Sequence, residues 1–465
     1  MPDFDIYLSP FTWRYGSDEM RRLWSERNKR LLWRKIWVAL AEVQAEYALV
    51  TAEQVTDLRV HADEIDISQA LEIEVEIQHD LMAELQVFAG QCLTGGGILH
   101  LGATSADIED NADALRLRQS LDLVLESLTA LLRLFAQQIE KWAETPIIAF
   151  THLQPAEPST LGYRLALYAQ DLLEDFRALR VIQQGIRGKG FKGAVGTGAS
   201  YAELMGAEKL AAFEKRLSEE LDLPFYSIAA QTYPRKQDYT IVNALASLGA
   251  SLYKFAFDLR ILQSPPIGEL AEPFGEKQVG SSAMPFKRNP IRAEKINSLG
   301  RYLAQLPRLA WDNAAHSLLE RTLDDSANRR AFLPEAFLAA DEMLRTAMGI
   351  LAKLRVDEAA MTRNLGMYSP FAATERVLMA LVKAGADRQA MHARLRTHAL
   401  HAWQVVQDGR SNPLADLICE DAEFQSFLPK ETLHGLMDCT SHLGNAPRRA
   451  KEMAKMVIEG IGESG

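Results

Sequence analysis

Apolar side chains recur at helical spacing over most of the chain. Between Asp107 and Glu144 they fall at Leu117, Leu121, Val124, Leu128, Leu131, Phe135, Ile139 and Trp142, three or four residues apart on one face. No Gly or Pro interrupts this stretch, so the pattern predicts one helix of about 57 Å. Similar spans run over 159–187, 237–262 and 291–347, separated by loops that carry Pro or Gly. A helix that long needs apolar partners along its length, and the small residues of 244–251 suit a close approach of two helices. The predicted fold class is all-α: an elongated central helix bundle with two smaller helical end domains. The limits are read as 1–103, 104–356 and 357–465, from the glycine turn at 95–97 and the change to shorter helices near Val356.

Composition narrows the class without naming a chemistry. Apolar residues make up 48% and charged residues 24% of the 465, a globular mixture with no low-complexity stretch and no internal repeat. A net charge of −11 argues against a general nucleic-acid partner, so an anionic substrate would need locally placed Arg and Lys. Three cysteines, Cys92, Cys419 and Cys439, form neither a disulfide framework nor a metal-ligand spacing. The N-terminal residues Met1–Asp5 lack a basic start followed by an apolar run, and the 242–259 stretch is broken by Asn243, Lys254 and Asp258. A cytoplasmic protein with no membrane partner is the expectation.

Four segments carry candidate chemistry. In Gly280–Pro290, two hydroxyls, a lysine, an arginine and an amide sit between a glycine and a proline. A serine alkoxide stabilised by Lys287 and nearby N–H donors would be a strong base, and Lys287 with Asn289 could hold a carboxylate gaining charge. Read alone, the same segment is more readily a solvated basic turn. His152, between two long helices, suits a proton donor at neutral pH or a histidine that satisfies loop backbone. Thr104 and Ser105 precede a helix, where hydroxyls and orphan N–H groups make an anion site or simply an N-cap. The run 320–330 offers Arg321, Ser326 and Arg330 to a phosphate, or to solvent on a helix face.

His392, His398 and His401 lack the partners of a metal site and read as a polar helical surface. The glycines and lysines of 188–193 lack the spacing of a phosphate loop. No cofactor and no metal is indicated.

Taken together, the segments resemble the fumarase/aspartase superfamily, whose loop Gly-Ser-Ser-x-Met-Pro-x-Lys-x-Asn-Pro fits 280–290 at every fixed position. The segments at 151–156, 231–236 and above all 320–330 are similar to those of the branch that eliminates fumarate from adenylosuccinate, giving AMP, and from the related carboxamide ribotide, SAICAR, giving AICAR, in purine biosynthesis. The resemblance covers nearly the whole chain. It implies a lyase acting on small nucleotide substrates by general acid-base catalysis, assembled as a homotetramer whose active sites are shared between subunits. Carried over, Ser281 is the base and His152 the acid that protonates the leaving nitrogen. Glu294 orients the acid, Lys287 and Asn289 stabilise the carboxylate, and His79 is a second active-site histidine.

The same resemblance places Thr104, Ser105, Thr151 and Gln231 around the succinyl group. It assigns the nucleotide and its phosphate to Arg14, Tyr15, Arg321, Ser326 and Arg330, and makes Gln78, Asp80 and Lys295 further substrate contacts. It also implies a lid, flanked by Gly275 and Gly280, that closes over substrate. Two departures stand out: Gln78 and Lys295 occupy positions where an arginine is usual, which removes a charge in one case and a bidentate fork in the other. Argininosuccinate lyase, aspartase and fumarase share the loop, and a scaffold that kept the fold without the chemistry is the alternative of another class.

Overall fold

The computed structural model describes residues 4–462, so the first three residues of the N-terminal stretch read above lie outside the described part. It is all-α, with long helices and two small two-stranded pairings. The principal elements are α1 (Glu26–Glu46), α2 (Asp80–Gln91), α3 (Ser105–Lys141), the hairpin β1 (Pro146–Thr151) and β2 (Gln154–Thr160), α4 (Leu161–Gln184), α5 (Lys236–Leu262), α6 (Ile291–Leu303), α7 (Leu306–Ala315), α8 (Asp324–Leu351), α9 (Glu358–Lys383) and α10 (Arg388–Gln407).

The predicted face of α3 is fully buried from Leu117 to Ile139. Trp142 lies just past the helix end, in the turn that leads to the strand beginning at Pro146. The 291–347 span, expected as one helix, is three. Pro307 has no N–H to give a helix interior and sits instead at the first positions of α7. Asp324 and Asp325, poor choices for mid-helix, form the first turn of α8, where the positive end of the helix favours them.

The chain divides into two compact units. The first comprises residues 1–128, 175–250 and 298–345. Here Gly249 in the small-residue stretch of α5 makes room for a side chain of α6: a Cβ on it would lie 3.0 Å from Leu303 Cδ2. The second comprises 129–174, 251–297 and 346–465. It holds the hairpin, the 280–290 loop and a separate core of Val377, Leu381, Met391, Leu395, Ile418 and Phe424. His398, read as a surface histidine, is mostly buried, with Nε2 at 2.7 Å from Asp421 Oδ2. Sequence spacing could not show this pair because Asp421 caps a different helix.

Among the described residues no helix is long and apolar enough to cross a membrane, and no cluster of three or more His, Cys, Asp or Glu side chains is placed to hold a metal. All three cysteines are buried and free.

Candidate active site

In the first unit the N-termini of α2, α3 and α8 converge on a cavity of about 490 Å³. Its wall includes Gln78, His79 and Asp80 at the start of α2, Ser105 at the start of α3, and Ser326 in the first turn of α8. Each helix start brings the positive end of its dipole to a lining that also carries the carboxylates of Glu26, Glu74, Asp80, Glu109, Asp110 and Asp113. Arg321, Arg330 and Lys29 add formal positive charge to the same wall.

Local folding orients the polar groups. Gln78 takes a left-handed conformation, φ 53°, that ends the helix before α2 and turns the chain into the cavity. His79 caps α2: its Nδ1 lies 3.5 Å from the Met82 N–H, and its Nε2 lies 3.4 Å from Ser105 Oγ. Thr104 precedes α3, and its N–H donates to Asp107 Oδ2 at 3.1 Å, half of a capping box. Its hydroxyl is thereby left for Gln231, whose Nε2 donates to Thr104 Oγ1 at 2.9 Å. The segment starts the helix, and Ser105 lies on the cavity wall.

The wall is continuous with a largely buried ionic scaffold. Arg235 donates to Asp110 at 3.0 Å and to Asp325 at 2.7 Å, and Arg321 reaches the other oxygen of Asp325 at 2.8 Å. Arg329 donates to Asp238 at 2.7 Å and to the Tyr233 hydroxyl at 2.8 Å, and lies 3.2 Å from Asp113. Burial would raise the Asp113 carboxyl, but Arg116 and Arg329 outweigh it and hold Asp113 at about 2. Burial likewise opposes the Asp80 carboxylate, yet Arg330, at 2.8 Å, and Lys29 hold it below the usual range. The lysines of 188–193 are absorbed in the same way: Lys189 pairs with buried Asp107 at 2.7 Å, and Lys192 with Glu214 at 2.7 Å.

In the second unit, His152 sits at the tip of the β1–β2 hairpin. Thr151 pairs with Gln154, so His152 and Leu153 are the two turn residues, with φ of 54° and 58°. Two successive left-handed residues define the mirror-image turn that matches the twist of paired strands, normally filled by Asn-Gly. A histidine and a leucine there carry backbone strain, and the turn thrusts the imidazole out into solvent. The helix-to-helix junction expected at this place is therefore an ordered hairpin.

The 280–290 loop folds back on itself. Asn289 Nδ2 donates to Gly280 O at 3.0 Å, and a Cβ on Gly280 would lie 2.0 Å from Lys287 O. Gly280 is thus required by close packing. Ser281 Oγ accepts the N–H groups of Met284 at 3.0 Å and Ala283 at 3.3 Å, donors that would stabilise an oxyanion at this atom. The loop's exit into α6 is pinned by buried Glu272, which accepts the N–H groups of Arg292 and Ala293 at 3.0 and 2.9 Å. Glu294 lies 3.8 Å from Arg260 Nη2.

Of the expected site residues, the cavity brings together Gln78, His79, Asp80, Ser105, Gln231, Arg321, Ser326 and Arg330, with Thr104 one hydrogen bond behind. Arg14 and Tyr15 lie in the first unit at the end of a short helix, with the Arg14 guanidinium 5.6 Å from the Trp13 ring. Thr151 and His152 are on the hairpin, Ser281, Lys287 and Asn289 on the loop, and Glu294 and Lys295 on α6, all in the second unit. Sequence reasoning passed over Glu109, which lines the cavity, and the scaffold aspartates. The available signal was four carboxylates in two turns, Asp107, Glu109, Asp110 and Asp113, more than a helix start needs.

Two family profiles match the chain: Lyase over residues 13–302 and Adenylosuccinate lyase C-terminus over residues 370–453. The chain is 37% identical to adenylosuccinate lyase of Saccharomyces cerevisiae, over 98% of this chain and 95% of that one. It is 40% identical to adenylosuccinate lyase of Schistosoma mansoni, over 92% and 91%. Among solved structures, 3-carboxy-cis,cis-muconate lactonizing enzyme from Pseudomonas putida superposes with a TM-score of 0.85 at 26% identity, covering 96% of this chain and 99% of that one.

Proposed function

We propose, from the premise that the chain belongs to the adenylosuccinate lyase family, that it cleaves adenylosuccinate to AMP and fumarate and acts in the same way on SAICAR. The observation that carries this reading is the cavity ringed by three helix N-termini, with Arg321, Arg330, Ser326, His79 and Ser105 on one wall. Such a wall fits the phosphate and carboxylates of a succinylated nucleotide better than a small amino acid.

In the proposed reaction Ser281 Oγ, as alkoxide, takes a proton from the succinyl carbon beside a carboxylate. The electron pair left behind spreads into that carboxylate, and Lys287 and Asn289 stabilise the added charge. The pair then forms the carbon–carbon double bond of fumarate while the carbon–nitrogen bond breaks, and His152 gives its proton to the departing purine nitrogen. The two N–H groups on Ser281 Oγ support the first step, and the exposed His152 turn supports the last. Gln231, Thr104, Ser105 and Thr151 would hold the succinyl group. Arg14, Tyr15, Arg321, Ser326 and Arg330 would hold the nucleotide, with Gln78, Asp80 and Lys295 as further contacts and Glu294 orienting the acid.

The working form is a homotetramer in a cytoplasmic setting, its active sites completed by residues of neighbouring subunits. A need for several chains would account for an imidazole and a base loop that stand exposed in one of them. The test is an ultraviolet assay of adenylosuccinate cleavage by wild type, His152→Ala and Ser281→Ala. Both variants are expected to lose at least about a hundredfold in kcat. Full activity of Ser281→Ala removes the assigned base, and fumarate release from argininosuccinate alone overturns the substrate assignment.

A further inference from the structure

Glu109 is one of three carboxyls on the cavity wall, with Glu26 and Glu74, that nothing above uses. It lies on α3 among three other acids, and each of those has a cationic partner. Asp80 has Arg330 at 2.8 Å, Asp110 has Arg235 at 3.0 Å, and Asp113 has Arg116 and Arg329. Glu109 makes no ion pair or hydrogen bond among the described residues, and the guanidinium nearest in charge, Arg330, is already engaged by Asp80. The same cavity is lined by Lys29 and Glu26 of α1, which pair with each other at 2.8 Å, and by Glu74, a further acid from the helix before α2. A partly buried acid among three paired acids, without a cation of its own, is driven towards its neutral form. Burial, followed by Asp80, Asp110 and Asp113 with Arg330 opposing, pushes the Glu109 carboxyl up to about 7.

We propose that Glu109 binds the anionic nucleotide as a neutral carboxylic acid that donates a hydrogen bond, so that binding draws a proton from solvent and weakens as the side chain ionises. The inference rests on the functional reading above, which puts phosphate in this cavity. Only the protonated form can donate; the carboxylate offers oxygens alone and repels the ligand's charge. A phosphate dianion near Glu109 would favour the proton further, so occupancy and protonation reinforce each other. Glu109 is thereby a specificity residue for charge state, acting on binding rather than on the chemical step.

The experiment has two arms. First, AMP is titrated calorimetrically into the full-length protein at pH 8, in two buffers of different ionisation heat. Free AMP is already a dianion there, its second phosphate pKa being about 6, so proton uptake reports a protein group. Wild type is expected to take up a substantial fraction of one proton and Glu109→Gln none; no uptake by wild type, or equal uptake by both, overturns the proposal. Second, KM for adenylosuccinate is followed from pH 6 to 9. The wild-type value is expected to rise roughly tenfold or more between pH 7 and 9, relative to a flat ratio in Glu109→Gln. Parallel profiles overturn the proposal while leaving the functional reading intact; wild type that releases no fumarate from adenylosuccinate at any pH overturns that reading itself. If Glu109→Gln does not fold, Glu109→Ala carries the same comparison.

Discussion

Gln231 donates its amide N–H to the Thr104 hydroxyl at 2.9 Å, while its own Oε1 is buried without a partner among the described residues. An unmet acceptor on a cavity wall costs stability unless a ligand donor arrives, so the pair is set for binding. Thr104→Val removes the hydroxyl at nearly constant volume and frees the amide to rotate. The expected loss is about 0.5–1.5 kcal/mol of transition-state stabilisation, or roughly two- to tenfold in kcat/KM for adenylosuccinate, with little change in thermal stability. Steady-state kinetics beside a melting curve checks both halves.

Gly280 and Gly275 flank the same loop but differ in what a side chain would meet. At Gly280 a Cβ would sit 2.0 Å from Lys287 O, whereas at Gly275 the nearest atom is Gln278 Cβ at 3.7 Å. Gly280→Ala must open the loop and move Ser281, with an expected fall in kcat of about a hundredfold, because displacement of a reacting group by about 1 Å is that costly. Gly275→Ala is expected to stay within about threefold of wild type, the surrounding space being open. Equal losses in both variants would mean that mobility of the flanks, not the packing at Gly280, is what matters.

Behind the cavity, Asp238 holds Arg329 through Oδ2 at 2.7 Å and the Tyr233 hydroxyl through Oδ1 at 2.6 Å, and it is fully buried. Asp238→Asn keeps the shape and deletes the charge, leaving a buried guanidinium short of compensation. Loss of one partner of such a pair costs about 3–5 kcal/mol. Urea denaturation should show it as a lower midpoint; a shift below about 1 kcal/mol would place the weight of the network on Asp113 and Asp110.

The acids of the cavity divide in sign with pH. Asp113, held at about 2, contributes stability that is present above its unfolded pKa and lost as pH falls from roughly 4 to 2. Glu109, pushed up to about 7, behaves oppositely: folding favours its protonated form, so stability present below the unfolded pKa is lost as pH rises towards 7. Glu109→Gln should therefore melt higher than wild type at pH 8 by more than it does at pH 4.5. Melting curves at the two pH values check this, and a difference independent of pH would contradict the assigned direction.

Helical periodicity and loop composition by themselves determined a great deal. The buried face of α3 follows from spacing alone, and the 280–290 segment is a loop because hydroxyls, cations and an amide between a glycine and a proline have no core to join. Both are local: they depend on residues a few positions apart. The hairpin that carries His152 was not legible, since His-Leu is an unlikely filling for its turn and only strand pairing of 146–151 with 154–160 forces it. Nor was Glu109, whose chemistry depends on Asp80 from another helix and on Arg235, just before α5, and Arg330 of α8 being occupied elsewhere. Charge state and backbone strain depend on neighbours distant in the chain, so only the tertiary structure could decide them.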